Sequence, residues 1–294
     1  EKYLTYKKES SKGVNYLVKE FECRKSADAY SRAATSRTGV LDTKKLHTYK
    51  FNEDLFKKIT VLPEGKNHGL IFVLDWSGSM HFVINDTVKQ LLNLLWFCKK
   101  VNIPFEVYGF TNDSPSEWRY PSREGRGMEE IQVMKENEIY CHPTFRLLNF
   151  VSSDSGKDFE EQCLHLFNLS YSLQCGYSDY VPYGFNLSGT PLNETIIALR
   201  ELIPDFFKKH QVSKLNTVLL TDGESQSISR VNKVQSYYNP DEMEFGRISL
   251  HSRCQLRDRK IGRVYHACNE WNWKNSITQT LLQNLEDNFP NCNI

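Results

Sequence analysis

No run of apolar residues in this chain approaches the roughly 18 needed to cross a bilayer, so no spanning helix and no membrane partner are expected. The opening residues, EKYLTYKKES, are polar and charged and make no signal peptide. Charge of one sign is also missing: 37 Lys and Arg stand against 36 Asp and Glu, for a net +1. Nothing in that balance argues for nucleic acid or a membrane surface as partner. No phosphate-cradling G-x-x-x-x-G-K-[ST] loop occurs, so the chain is not itself an ATPase of that kind. The eight cysteines (Cys23, Cys98, Cys141, Cys163, Cys175, Cys254, Cys268, Cys292) form no C-x-x-C and no framework spacing. Several sit in apolar helical contexts, which reads as reduced thiols in a cytoplasmic protein. Five N-x-[ST] sequons occur, but the one at Asn85 opens an apolar-periodic helix, so glycosylation is discounted.

The charge that is present is uneven. Residues 1–60 carry 14 Lys and Arg against 8 Asp and Glu. Residues 1–62 are Lys-rich with weak periodicity, and are expected to form short helices and an extended basic arm. Such an arm is either a solvated surface or a dock for an acidic partner. Residues 63–294 read as one domain with two insertions, at about 111–157 and 225–270. The final FPNCNI has the look of half a strand, so the domain is expected to continue beyond Ile294.

Within that domain HGLIFVLD (68–75) is a continuous apolar run ending in an acid, the pattern of a parallel strand buried on both faces. A helix follows over 81–100, with Ile84, Val88, Leu91, Leu92, Leu95 and Cys98 on one stripe. NIPFEVYGF (102–110) is a second strand. Helices are expected over 158–174, 189–202 and 273–288, with Pro204 ending or kinking the second of these. KLNTVLLTDGE (214–224) repeats the first theme, an apolar strand ending in an acid. A hairpin is expected in the second insertion, around RISLHSRC and IGRVYHAC. Alternating strands and helices with continuous apolar strands imply a doubly wound α/β fold around a mostly parallel, Rossmann-like sheet. In such sheets ligands bind outside the carboxyl ends of the strands, the edge on which Asp75 and Asp222 lie.

DWSGSM (75–80) places Asp75, Ser77 and Ser79 alternately on one tight loop at that edge. No histidine is placed to activate either serine, so nucleophilic chemistry is not indicated. Oxygen-only ligands suit a hard cation such as Mg²⁺, which takes oxygens octahedrally and keeps some waters. Thr190 in SGTPL and Asp222 in LLTDG add a hydroxyl and a carboxylate from two further loops. The competing reading is that Asp75 and Ser77 merely cap the next helix; three separate strand-end loops, each bringing an oxygen, count against it. Trp76 is either packed beneath the loop or presented to a partner.

D-x-S-x-S, a later Gly-Thr-Pro-Leu and a later Thr-Asp-Gly together resemble the metal-ion-dependent adhesion site of a von Willebrand factor A domain, over about 68–294. The resemblance implies one Mg²⁺ or Mn²⁺ held by Asp75, Ser77, Ser79, Thr190 and Asp222, with an open position for an acidic side chain of a partner. LDWSGSM, IPFEVYGFT and VLLTDGES are more narrowly similar to the A domain of the cobalt chelatase subunit CobT and its phage-encoded relatives. That similarity implies work alongside a MoxR/chelatase-type AAA+ ATPase, in a host cytoplasm if the chain is phage-encoded. Trp76 departs from the small or polar residue usual at its position, and the acidic segment usual before that A domain is replaced by a basic arm. The chain is therefore expected to be an interaction module without catalytic activity of its own. The alternatives are a non-catalytic chelatase subunit in tetrapyrrole metal insertion or, ranked last because residues 1–67 hold no helical repeat, an RNA-binding protein. A minor zinc reading joins His251, Cys254, His266 and Cys268, if residues 246–268 fold as a hairpin.

Overall fold

The computed structural model describes residues 1–31, 34–41, 50, 56–61, 67–113, 135–141, 144–177, 181–182, 184–223, 225–235, 243–250, 254–266 and 275–294. The molecule is mixed α/β around a mostly parallel five-stranded sheet. In chain order its elements are α1 (Lys2–Ser31), β1 (Ala34–Leu41), β2 (Phe56–Val61), β3 (His68–Asp75), α2 (Ile84–Lys100), β4 (Phe105–Thr111), β5 (Ile139–Tyr140), β6 (Arg146–Ser152), α3 (Phe159–Gln174), α4 (Leu192–His210), β7 (Lys214–Leu220), β8 (Ser229–Gln235), β9 (Met243–Ser249), β10 (Gln255–Arg257), β11 (Val264–His266), α5 (Asn275–Asn288) and β12 (Cys292–Asn293). The main sheet runs β12-β7-β3-β4-β6. The first four strands are mutually parallel, and β6 is antiparallel to β4.

β3 is the middle strand. From it the chain crosses through α2 to β4 on one side, and later returns through α4 to β7 on the other. The strand order thus reverses at β3, and a crevice opens between the carboxyl ends of β3 and β7. Alternate residues of β3 serve opposite cores. Phe72 and Leu74 join α2 and α3, while Ile71 and Val73 join α4 and α5. All four are 3 % exposed or less, which explains an apolar run with no polar alternation. The α2 stripe expected from spacing is fully inward: Ile84, Val88, Leu91, Leu92 and Leu95 are 0 % exposed. Each such side chain contributes about 1.5–3 kcal/mol on leaving water.

Four features differ from the sequence reading. Residues 2–31 form one long helix rather than short ones. Tyr3, Tyr6, Val14, Val18 and Phe21 pack it on α2 and α3, with Tyr3 and Tyr6 against Phe167 (5.5 and 6.0 Å between centroids) and Phe21 against Phe97 (5.5 Å). Its apolar stripe is only one residue wide and lapses at Ser10, so the periodicity is faint. Second, β6 lies inside the stretch taken as an insertion, yet forms an edge of the main sheet. The register slips between Val107–Val151 and Tyr108–Asn149, leaving Phe150 as a bulge, and a bulge destroys the two-residue alternation that marks a strand. Third, the two insertions share a small antiparallel sheet, β5-β8-β9. Arg247–Ser249 belongs to it, and among the described residues β10 and β11 form the hairpin that follows. Fourth, α4 continues through Pro204 to His210. Pro204 faces solvent, so the Arg200 carbonyl that lacks its donor lies on the wet side. Phe206 (1 % exposed) and the Lys209–Glu106 ion pair (2.6 Å) hold the final turns to the sheet.

The seven cysteines among the described residues are free thiols. Burial pushes Cys98 and Cys163 up to about 12. Among the described residues no helix is long and apolar enough to cross a membrane.

Candidate functional site

The carboxyl end of β3 delivers Asp75 into the crevice. Its neighbours turn at once. Trp76 donates its amide to the Phe110 carbonyl, Ser77 bridges in parallel to Ser188, and Gly78–Phe82 winds into a 3-10 turn leading to α2. The Ser77 side chain makes no capping bond on that turn, so the capping role considered from sequence is not what positions it. Ser77 and Ser79 instead pair through their hydroxyls at 2.9 Å, and Ser79 donates to Asp222 Oδ1 at 2.9 Å. Asp222 stands just beyond β7 and is exposed, as is Ser79.

Asp75 is wholly enclosed, at 0 % exposure. Thr221 donates to its Oδ2 at 2.6 Å, while Oδ1 is buried with no hydrogen-bond partner. Burial pushes its carboxyl up from the ordinary range, and the Asp222 charge pushes the same way. The Thr221 bond and the facing Ser77 hydroxyl and amide pull against them. Asp75 is therefore an enclosed carboxylate oxygen in want of a positive partner. Asp75 does not face solvent, although it ends a strand at the sheet edge; the open side of the crevice belongs to Ser79 and Asp222.

Thr190 stands on the third loop, before α4, and is half-buried. Its loop is tied to the other two by backbone bonds. Gly78 donates to the Ser188 carbonyl at 2.7 Å, Ser188 to the Trp76 carbonyl at 3.2 Å, and Gln226 to the Thr190 carbonyl at 2.9 Å. The three loops named from sequence thus meet at one place. Ser77, Ser79 and Asp222 are in direct side-chain contact, Asp75 is coupled to them through Thr221 and charge, and Thr190 is brought alongside by its backbone.

Trp76 does not reach solvent. It is 0 % exposed, its indole N–H donates to the Phe185 carbonyl at 2.7 Å, and its ring lies 4.9 Å from Phe150. A partner contact through Trp76 is therefore corrected to a packing role: it plugs the floor under the serine loop, where Gly109 leaves room for Phe150 because a Cβ there would collide with that ring.

Of the four residues in the zinc reading, His251 and Cys268 lie outside the described residues. Cys254 is half-buried against the α4–α5 core, and His266 is exposed at the end of β11, opposite Gln255. Among the described residues no group of three or more His, Cys, Asp or Glu side chains is placed to hold a metal ion. The crevice at β3 differs from such a group in kind, since its oxygens come from two carboxylates and several hydroxyls.

Four residues around the site are not evident from sequence: Thr221, Gln226, and Asn112 and Asp113 beyond β4, which accept from amides of the Thr190 loop. Thr221 had a signal, a hydroxyl directly before a strand-end acid. The others sit at the start of polar stretches without period. No protein-family model, curated protein or solved structure matches the chain.

Proposed function

We propose that the chain is a Mg²⁺- or Mn²⁺-dependent protein-interaction module of the von Willebrand factor A type. The observation that carries this reading is the Oδ1 of Asp75, a buried carboxylate oxygen without a partner. It stands at the switch point of the sheet, beside a second carboxylate and a pair of serine hydroxyls. The donor set fits a hard divalent cation, which prefers oxygen and tolerates hydroxyls and water in its shell. Asp75, Ser77, Ser79, Thr190 and Asp222 would hold the ion. A cation held largely by neutral ligands stays electrophilic, and so supplies an attachment point for an acidic side chain of a partner. The chain's own contribution is to keep Asp75 dry and to leave Ser79 and Asp222 on the open side where a partner can approach.

The similarity of LDWSGSM, IPFEVYGFT and VLLTDGES to CobT supports a MoxR/chelatase-type AAA+ ATPase as that partner, with the chain acting as adaptor in the cytoplasm. The test is co-purification from the source cell in Mg²⁺ and in EDTA, with mass-spectrometric identification. An AAA+ ATPase retained in Mg²⁺, lost in EDTA and lost with Asp222→Asn is the expected result. Retention unchanged by EDTA would show that no metal bridges the two proteins.

A further inference from the structure

We infer that Asn112, just beyond β4, is a positioning residue for the third loop. With Gln226 it forms an amide bridge that holds Thr190 at the crevice before any ion arrives. The inference rests on the metal reading above and adds to it how the site is preassembled.

In the sheet order β4 and β7 lie on opposite sides of β3. A residue after β4 and a residue after β7 can meet only across the end of β3, over the candidate site. Asn112 and Gln226 do so: Asn112 Nδ2 donates to Gln226 Oε1 at 3.2 Å. Both also grip the intervening loop. Gly189 donates its backbone amide to Asn112 Oδ1 at 2.7 Å, and the Gln226 backbone amide donates to the Thr190 carbonyl at 2.9 Å. Thr190 is therefore bracketed, with the residue before it bound to the Asn112 side chain and its own carbonyl to the main chain of Gln226.

The residues beside Asn112 clamp the same loop further back. Asp113, 5 % exposed, accepts from the amides of Gly184 and Asn186 at 3.1 Å each, and Thr111 donates to the Asn186 carbonyl at 3.4 Å. Three consecutive residues, Thr111 to Asp113, thus bind a loop more than 70 positions away at three points. Gly189 permits the arrangement. A methyl group there would run into the side-chain amides of Gln226 and Asn112. The end of a glutamine side chain moves easily, so Gly189→Ala displaces the bridge at little cost to folding.

Groups that orient metal ligands without touching the metal typically govern affinity by about 10–100-fold. The experiment has two readouts on the intact chain. In EDTA, hydrogen–deuterium exchange follows the amides of 184–190. In MgCl₂, calorimetric titration gives the ion affinity. Asn112→Ala and Gly189→Ala are expected to speed exchange of that loop about tenfold while leaving β3 and α2 unchanged, and to weaken Mg²⁺ by about tenfold with the melting temperature nearly constant. Because the bridge is one unit, Asn112→Ala with Gln226→Ala should be little worse than the poorer single variant. Should Asn112→Ala fold badly, Gly189→Ala and Gln226→Ala carry the comparison. A wild-type chain that takes up neither Mg²⁺ nor Mn²⁺ overturns the metal reading and this inference together. A wild type that binds, with Gly189→Ala and Gln226→Ala matching it in exchange and in affinity, overturns the positioning role alone.

Discussion

Glu194 shows how much an enclosed carboxylate asks of its surroundings. It sits in the first turn of α4, 6 % exposed, with its Oε2 buried and unpartnered. Burial pushes its carboxyl up from the ordinary range. The sign follows from linkage. The unfolded glutamate ionises near pH 4.3, below the folded one, so the penalty is absent under that pH and grows as pH rises through the window above it. Glu194→Gln removes the charge and keeps the shape. It is expected to raise the melting temperature by about 2–4 °C at pH 8, the effect of ~1 kcal/mol in a domain of this size, and by less at pH 4. Paired melts at the two pH values check this, and an equal gain at both would mean that charge is not the cause. At this scale much of the crevice was legible beforehand. Asp75, Ser77, Ser79 and Asp222 were legible as candidates because acids and hydroxyls at the ends of apolar strands stand out against their context. Asn112 and Gln226 were not, since a polar residue beside a polar stretch carries no such contrast. Trp76 could not be placed either, because one residue beyond a strand no period says which way a side chain turns.

Elements hold together here through buried polar knots as well as apolar stripes. Asp258, its side chain 3 % exposed, ties the β10–β11 hairpin to α4 and α5. Burial alone would push its carboxyl up, but bonds from Asn284, Asn288 and the Lys260 amide, with the Arg200 guanidinium at 2.9 Å, outweigh it and hold the carboxyl well below the usual range. Its contribution is therefore present above the unfolded value near pH 3.9 and is lost as pH falls below that. Asp258→Ala is expected to cost on the order of 3 kcal/mol at pH 7, because it strands Arg200 and two amides, and less at pH 2.5, where the decline toward the folded value is under way. Urea unfolding at both pH values measures the difference. The parallel strands β3, β4 and β7 were legible as continuous apolar runs, and the four amphipathic helices of the α/β domain through their period. α1 and β6 were not, the first for its thin stripe and the second for its bulge. The reach of α4 past Pro204 was hidden for another reason: Phe206 and the Glu106–Lys209 pair are tertiary contacts, and they override a local breaker.

The molecule as a whole should report ion binding through its stability. If the crevice takes Mg²⁺ only when folded, then Mg²⁺ at 100 times its dissociation constant adds about 2.7 kcal/mol to unfolding. Asp75→Asn keeps an acceptor for Thr221 but gives up one of two neighbouring charges. In EDTA it should unfold no more easily than wild type, because repulsion with Asp222 is relieved, and its melt should no longer respond to Mg²⁺. Calorimetric scans of both proteins in EDTA and in Mg²⁺ decide the matter; a variant that still gains stability from Mg²⁺ places the ion elsewhere. The arrangement of the sheet has a consequence for how the chain is made. β3 is the middle strand of five and also the first of them to leave the ribosome. β4 follows soon after and covers one of its edges, but the other edge waits for β7, where Ile71 pairs with Thr217. At translation rates of about 5–20 residues per second that wait is on the order of 10 s. Throughout it the nascent chain displays a bare, strongly apolar strand edge, a template for pairing with any neighbouring chain. Synthesis of this protein thus passes through an interval of exposure to aggregation, and slower elongation lengthens it.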